Sequence, residues 1–176
     1  MSPARTEPTM NPDANDTLPI DSDIEVDSTR SRTPRPVHLR WRYLGLVFAG
    51  GAIGTAVRYL LSLSIPAWSG LPVATFSVNV TGAFLLGWLL ETLSRGGPDE
   101  GRRRAIRLFA GTGIMGGFTT YSSFAVDTDG LIATAHLGDS VLYALATVLL
   151  GAAASVGGIA LGAAIHRSRV RKDSGR

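Results

Sequence analysis

Four long stretches of this chain, Tyr43–Ile65, Pro72–Leu93, Ala105–Val126 and Asp139–Ile165, are apolar almost throughout. Each meets the length of about 20 residues that a helix needs to cross the hydrocarbon core of a bilayer. Soluble core helices can be as apolar, but four such runs in series point to a membrane. The chain therefore reads as an all-α membrane protein with four transmembrane helices. Short joins are expected at Pro66–Leu71, Arg95–Arg104 and Asp127–Gly138.

Charge is confined to what lies between and beyond these runs. Of the 17 Lys and Arg residues, all but Arg58 fall in the N-terminal tail, around Arg95–Arg107, or after Ile165. The two remaining joins carry Asp127, Asp129 and Asp139 instead. Lys and Arg stay on the cytoplasmic side of a membrane, so both termini are expected there, in a multi-pass protein of the cell membrane. The net charge of +3 then reports topology, and no nucleic-acid partner is expected.

Three segments follow: residues 1–42 as a disordered cytoplasmic tail, 43–165 as the membrane domain, and 166–176 as a basic cytoplasmic tail. The first is rich in Pro, Ser, Thr, Asp and Arg, a composition that buries too little apolar surface to offset its ordering entropy. There is no cysteine, and the three histidines are far apart, so thiol chemistry and a histidine metal site are not expected.

Polar residues inside the runs are the candidates for function, because a membrane anchor has no use for them. Arg58 sits deep in the first run. An ionised group there needs a partner or water; it either snorkels to the interface or draws an anion to a pore mouth. Thr75 and Asn79 share one face of the second helix at i, i+4. The Asn79 amide suits either an anion or the carbonyl of another helix. In the third run, Gly113, Gly116 and Gly117 precede Thr119-Thr120, and Tyr121 and Phe124 follow at i, i+3. Glycines and hydroxyls here are expected to break the helix, and backbone so freed is tolerated at membrane depth only inside protein or along water. Exposed carbonyls ligate hard cations, and the positive edges of aromatic rings support a small anion. The alternative for the two rings is ordinary packing. Tyr143, Thr147 and Gly151 form a line at intervals of four on the last helix, while Gly50/Gly54 and Gly158/Gly162 have the spacing of close helix contacts.

Together these residues resemble the Fluc fluoride channels, also called the CrcB family. The likeness covers residues 44–165 and rests on Gly51-x-x-Gly54-x-x-x-Arg58-Tyr59, on Thr75-Phe-x-Val-Asn79-x-x-Gly82, and above all on Gly113-x-x-Gly116-Gly117-x-Thr119-Thr120-Tyr121-Ser122-x-Phe124. It implies four-span subunits paired as antiparallel dimers, two fluoride paths per dimer, and a structural Na⁺ at the centre. Carried over by position, Arg58 becomes a vestibule charge and Asn79, beside Thr75, a pore amide. Tyr121 and Phe124 become the pore aromatics, and Tyr143 and Thr147 a polar track. The carbonyls of Gly116 and Thr119 become the Na⁺ ligands. Asp127 falls where an acid is common. The first pore aromatic is usually Phe, and here it is Tyr121.

The resemblance implies a passive, fluoride-selective channel, not an enzyme, that lets fluoride leave the cytoplasm and limits its toxicity. The one-sided charge predicts insertion in a single orientation, hence a heterodimer with a homologous subunit of opposite bias, with a homodimer as the alternative. Two other readings are a small four-span drug or cation transporter and a non-conducting assembly partner. The first calls for an acid within a span, and the first run holds only Arg58.

Overall fold

The computed structural model describes residues 41–173, with side-chain surroundings through Ser168. Apart from Trp41 and Arg42, the tail expected over 1–42 lies outside the described residues, as do residues 174–176. The described chain is helical: α1 (Trp41–Ser64), α2 (Val73–Ser94), α3 (Gly101–Ile106), a π-helix (Arg107–Met115), α4 (Gly116–Phe118), α5 (Tyr121–Ala133) and α6 (Leu137–Asp173). Among the described residues there is no strand, only an isolated bridge between Trp68 and Leu71.

Three of these helices, α1, α2 and α6 through Ser168, are long and apolar enough to cross a membrane. At 1.5 Å per residue, the 24 residues of α1 span about 36 Å, enough for a hydrocarbon core of about 30 Å. Helix α1 ends just before Pro66, which lacks an N–H and disfavours helix in the residue before it. The chain then reverses at Ser69 and Gly70, both at positive φ, and Trp68 and Leu71 exchange backbone hydrogen bonds of 3.1 and 2.9 Å across the turn.

Two boundaries differ from the sequence reading. The join expected over Asp127–Gly138 shrinks to Thr134-Ala135-His136, because α5 continues to Ala133. The polar run Asp127-Thr128-Asp129-Gly130 looks like a loop, but Thr128 Oγ1 donates to the Phe124 carbonyl at 2.7 Å and so satisfies itself within the helix. At the other end, α6 runs past Ile165 to Asp173 over 37 residues. Arg and Lys are good helix formers, and no Gly or Pro intervenes before Gly175.

Glycines set how the helices lie. A Cβ on Gly50 would sit 2.2 Å from the Phe109 carbonyl oxygen, and one on Gly54 2.1 Å from that of Ile114. Rising numbers meet rising numbers, so α1 and the 107–118 segment are parallel. The same holds for α2 and α6, where a Cβ on Gly87 would meet the Ser155 oxygen at 2.4 Å and one on Gly162 the Glu91 side chain at 3.1 Å. Gly50 and Gly54 thus sit against bare backbone, as does Gly158, whose Cβ would stand 2.1 Å from the Phe84 oxygen, while Gly162 faces side chains. The ends of α2 and α6 lie together, and the arginines of 95–107 follow α2 directly. Few large apolar side chains are buried (Val78, Phe118, Leu131 and Tyr143 are) while Phe48, Leu60, Val141 and Leu149 are among many that face outward. Such a surface suits hydrocarbon or another subunit.

Candidate functional site

The helical path of the third segment stops at Thr119 and Thr120. Both are extended, with φ/ψ of −77°/157° and −148°/119°. Local chemistry favours the interruption here. Gly116 and Gly117 weaken the helix, and threonine competes for backbone bonds. Thr120 then serves as the N-cap of α5: its Oγ1 accepts from the Ser123 N–H at 3.1 Å, satisfying a donor that the new helix leaves orphaned.

The interruption reassigns several backbone groups. In a continuous helix the Gly116 carbonyl would accept from the Thr120 N–H; that N–H goes to Asn79 Oδ1 at 2.8 Å. The Thr119 carbonyl would accept from the Ser123 N–H, which goes to Thr120 Oγ1. Gly117 accepts instead from Arg58 Nε at 3.1 Å and from Thr55 Oγ1 at 3.4 Å. The carbonyls of Gly116 and Thr119 are therefore released from their helical donors. A Cβ on Gly116 would meet nothing within 4 Å, so space is open beside it.

Asn79 reaches this point from α2. Its Nδ2 donates to the Thr120 carbonyl at 3.0 Å while its Oδ1 takes the Thr120 N–H. Of its two N–H groups, one is thus committed to backbone and one is left over. A cavity of about 140 Å³ lies between α1, α2 and the interruption, lined by Thr55, Arg58, Ser62, Thr75, Thr120 and Ser123 among others. Arg58 and Thr75 therefore line the same chamber. Arg58 is half-buried and bound to Gly117, with Ser123 Oγ at 3.5 Å from its Nη1.

Three rings pack in series, the last of them, Tyr143, near Thr75. Phe124 lies between Tyr121 (centroids 6.1 Å apart, planes at 47°) and Tyr143 (5.6 Å, 33°). Tyr121 is 82% exposed and Tyr143 only 5%, so the row leads from the outer surface into the packed interior. The Tyr143 hydroxyl faces Thr75, Asp127 and Thr147. Neither that hydroxyl nor Asp127 Oδ2 completes a hydrogen bond among the described residues, although both are buried. Leaving such a group unpaired costs about 1–3 kcal/mol. Thr147 is buried too, and its hydroxyl donates to the Tyr143 carbonyl at 2.7 Å.

The sequence candidates thus fall into three groups: Arg58 and Thr75 at the chamber, Gly116, Thr119 and Asn79 at the interruption, and Tyr121, Phe124, Tyr143 and Thr147 along the ring row. Asp127 and Ser123 complete the site, yet neither was singled out as a site residue. Asp127 follows Phe124 by three and so shares its helix face, a relation visible only once α5 is known to continue past it. The Thr120-x-x-Ser123 cap lay in plain view beside the aromatics.

A family model described as "CrcB-like protein, Camphor Resistance (CrcB)" matches residues 45–159. Among individual proteins, the chain is 63% identical over 134 residues to "Fluoride-specific ion channel FluC 2" of Leifsonia xyli subsp. xyli, covering 76% of this chain and 92% of that relative. It is 41% identical over 124 residues to "Fluoride-specific ion channel FluC" of Agrobacterium fabrum, covering 68% and 94%. A relative of that same name from Deinococcus radiodurans is 40% identical over 123 residues, covering 70% and 94%.

Proposed function

The chain belongs to the CrcB family, and from that membership and the site's geometry we propose that it is a subunit of a passive, fluoride-selective channel. One observation carries the reading. A ring row runs from exposed Tyr121 to buried Tyr143, and at its inner end a hydroxyl lies without a hydrogen-bond partner. That hydroxyl faces Thr75, Asp127 and Thr147 without completing a hydrogen bond to them, and beside the Phe124 ring it offers a small anion a donor that is not tightly held. Fluoride is strongly hydrated, so its path must replace water with donors yet hold none of them tightly. Tyr143, Thr75 and the remaining Asn79 N–H supply donors, and Phe124 supplies a ring edge. Thr147 acts as a wall of the track, its proton already given to backbone. Arg58 places positive charge at the chamber and raises the local anion concentration.

In this reading residues 101–133 form the fourth membrane-crossing element, a third span interrupted at Thr119-Thr120. The released carbonyls of Gly116 and Thr119, with open space beside Gly116, fit a hard monovalent cation. A Na⁺ bound there, shared with a second subunit, would supply positive charge that fixes the interruption. The second subunit would lie antiparallel. With the Arg-rich ends on one side, both termini are assigned to the cytoplasm, and the partner is a homologue of opposite charge bias. Fluoride accumulated in the cell would leave down its gradient.

Growth of a fluoride-sensitive bacterial strain tests this. Expressing the chain together with an oppositely biased homologue should restore growth in millimolar fluoride, and a Phe124→Ala variant should not. No rescue by a pair that reaches the membrane and assembles would overturn the proposal. Equal populations of both orientations in cysteine-accessibility tagging would remove the need for a heterodimer.

A further inference from the structure

We propose that Arg58 is a positioning residue whose forked guanidinium, not its charge alone, holds the interrupted segment in shape. Its Nε–H binds the Gly117 carbonyl on the α4 side at 3.1 Å, and its Nη1 lies 3.5 Å from Ser123 Oγ on the α5 side. One side chain therefore staples the two helices that flank Thr119-Thr120. The Ser123 hydroxyl is also the acceptor for Thr120 Oγ1 at 3.1 Å, so the staple continues into the cap of α5.

The anchor point is fixed from behind. Gly54, one turn before Arg58, touches the third segment through bare backbone, where a Cβ would stand 2.1 Å from the Ile114 oxygen and 2.8 Å from the Phe118 nitrogen. A Cβ on Gly117 would likewise stand 2.3 Å from the Gly51 oxygen. With α1 held this closely, the length and fork of Arg58 match two acceptors at set positions. A lysine ammonium donates from a single compact nitrogen and cannot reproduce an Nε/Nη1 fork. The carbonyl it grips stands at the end of α4, where helix carbonyls carry partial negative charge. The consequence for flux rests on the channel reading; the consequence for backbone order does not.

Hydrogen exchange separates the two. The full-length chain, reconstituted with its partner where assembly needs one, is compared as wild type, Arg58→Lys, Arg58→Gln and Ser123→Ala by mass spectrometry of peptides covering 116–124. Loss of a charge-assisted bond should speed amide exchange there by about tenfold in both Arg58 variants, and less in Ser123→Ala. Fluoride flux of Arg58→Lys should fall as far as that of Arg58→Gln, at low and high salt alike. Unchanged exchange in both Arg58 variants would overturn the proposal. So would a lysine variant that restores flux with a salt dependence typical of a screened charge. Faster exchange in the variants beside a wild type that passes no fluoride would keep the staple and reject the channel.

Discussion

Asn79 holds Thr120 by both ends of its backbone: Oδ1 accepts the Thr120 N–H at 2.8 Å and Nδ2 donates to the Thr120 carbonyl at 3.0 Å. An amide from α2 thus stands in for the helical bonds that the third segment lacks at this residue. The same side chain was open to two readings in the sequence, interhelical glue or anion donor. The structure gives it the first role with one N–H left for the second.

Removing it should therefore be costly before any ion is considered. Asn79→Ala strands a buried donor and acceptor, each worth about 1–3 kcal/mol. Asn79→Asp keeps the acceptor for the Thr120 N–H but sets a carboxylate against the Thr120 carbonyl. Both variants should melt earlier than wild type in detergent, seen by thermal denaturation with size-exclusion readout. Wild-type stability in either would mean that the pairing does not carry the interruption.

Packing at Gly54 gives a sharper contrast. Gly54→Ala places a methyl 2.1 Å from the Ile114 oxygen, and neither backbone can retreat without opening α1 from its neighbour. Overpacking of this kind costs about 1–3 kcal/mol. Gly45→Ala meets nothing within 4 Å and should be neutral or slightly stabilising through helix propensity. Thermal denaturation of the two variants side by side checks the contact.

The ring row predicts a split between stability and flux. Tyr121 is 82% exposed in the single subunit, so Tyr121→Phe should leave the melting temperature of the unassembled chain unchanged. Phe124→Ala removes the ring that touches both neighbours; it should abolish fluoride flux while the protein still assembles. Loss of assembly instead of flux would make the rings packing elements.

Tyr143→Phe should move the two properties in opposite directions. The hydroxyl is buried without a partner, so deleting it relieves a desolvation cost and should raise stability by up to about 1 kcal/mol. Flux should fall, because the donor at the inner end of the row is gone. A variant that conducts like wild type would remove the hydroxyl from the pathway.

What the sequence disclosed follows from what each signal measures. Hydropathy sees long apolar runs; α1 and α2 lie where those runs predicted, and α6 covers its run and continues to Asp173. It does not see hydrogen-bond register, so the π-helical Arg107–Met115 was invisible. It also misread Asp127–Gly130 as a loop, since Thr128 hides its polarity by bonding to the Phe124 carbonyl. Residue type marked Arg58, Asn79 and Tyr143 as out of place in a membrane. Type alone gave no surroundings, and it is the surroundings, Gly117 for Arg58, Thr120 for Asn79, and Thr75, Asp127 and Thr147 around Tyr143, that assign each side chain its work.

Fluoride efflux from liposomes tests the central claim most directly. Liposomes carrying this chain with an oppositely biased homologue are loaded with fluoride or chloride, and release is followed with ion-selective electrodes. The account predicts rapid fluoride release, chloride release no faster than from protein-free liposomes, and loss of the fluoride signal with Phe124→Ala. Fluoride release matching protein-free liposomes, or chloride released as fast as fluoride, would contradict it.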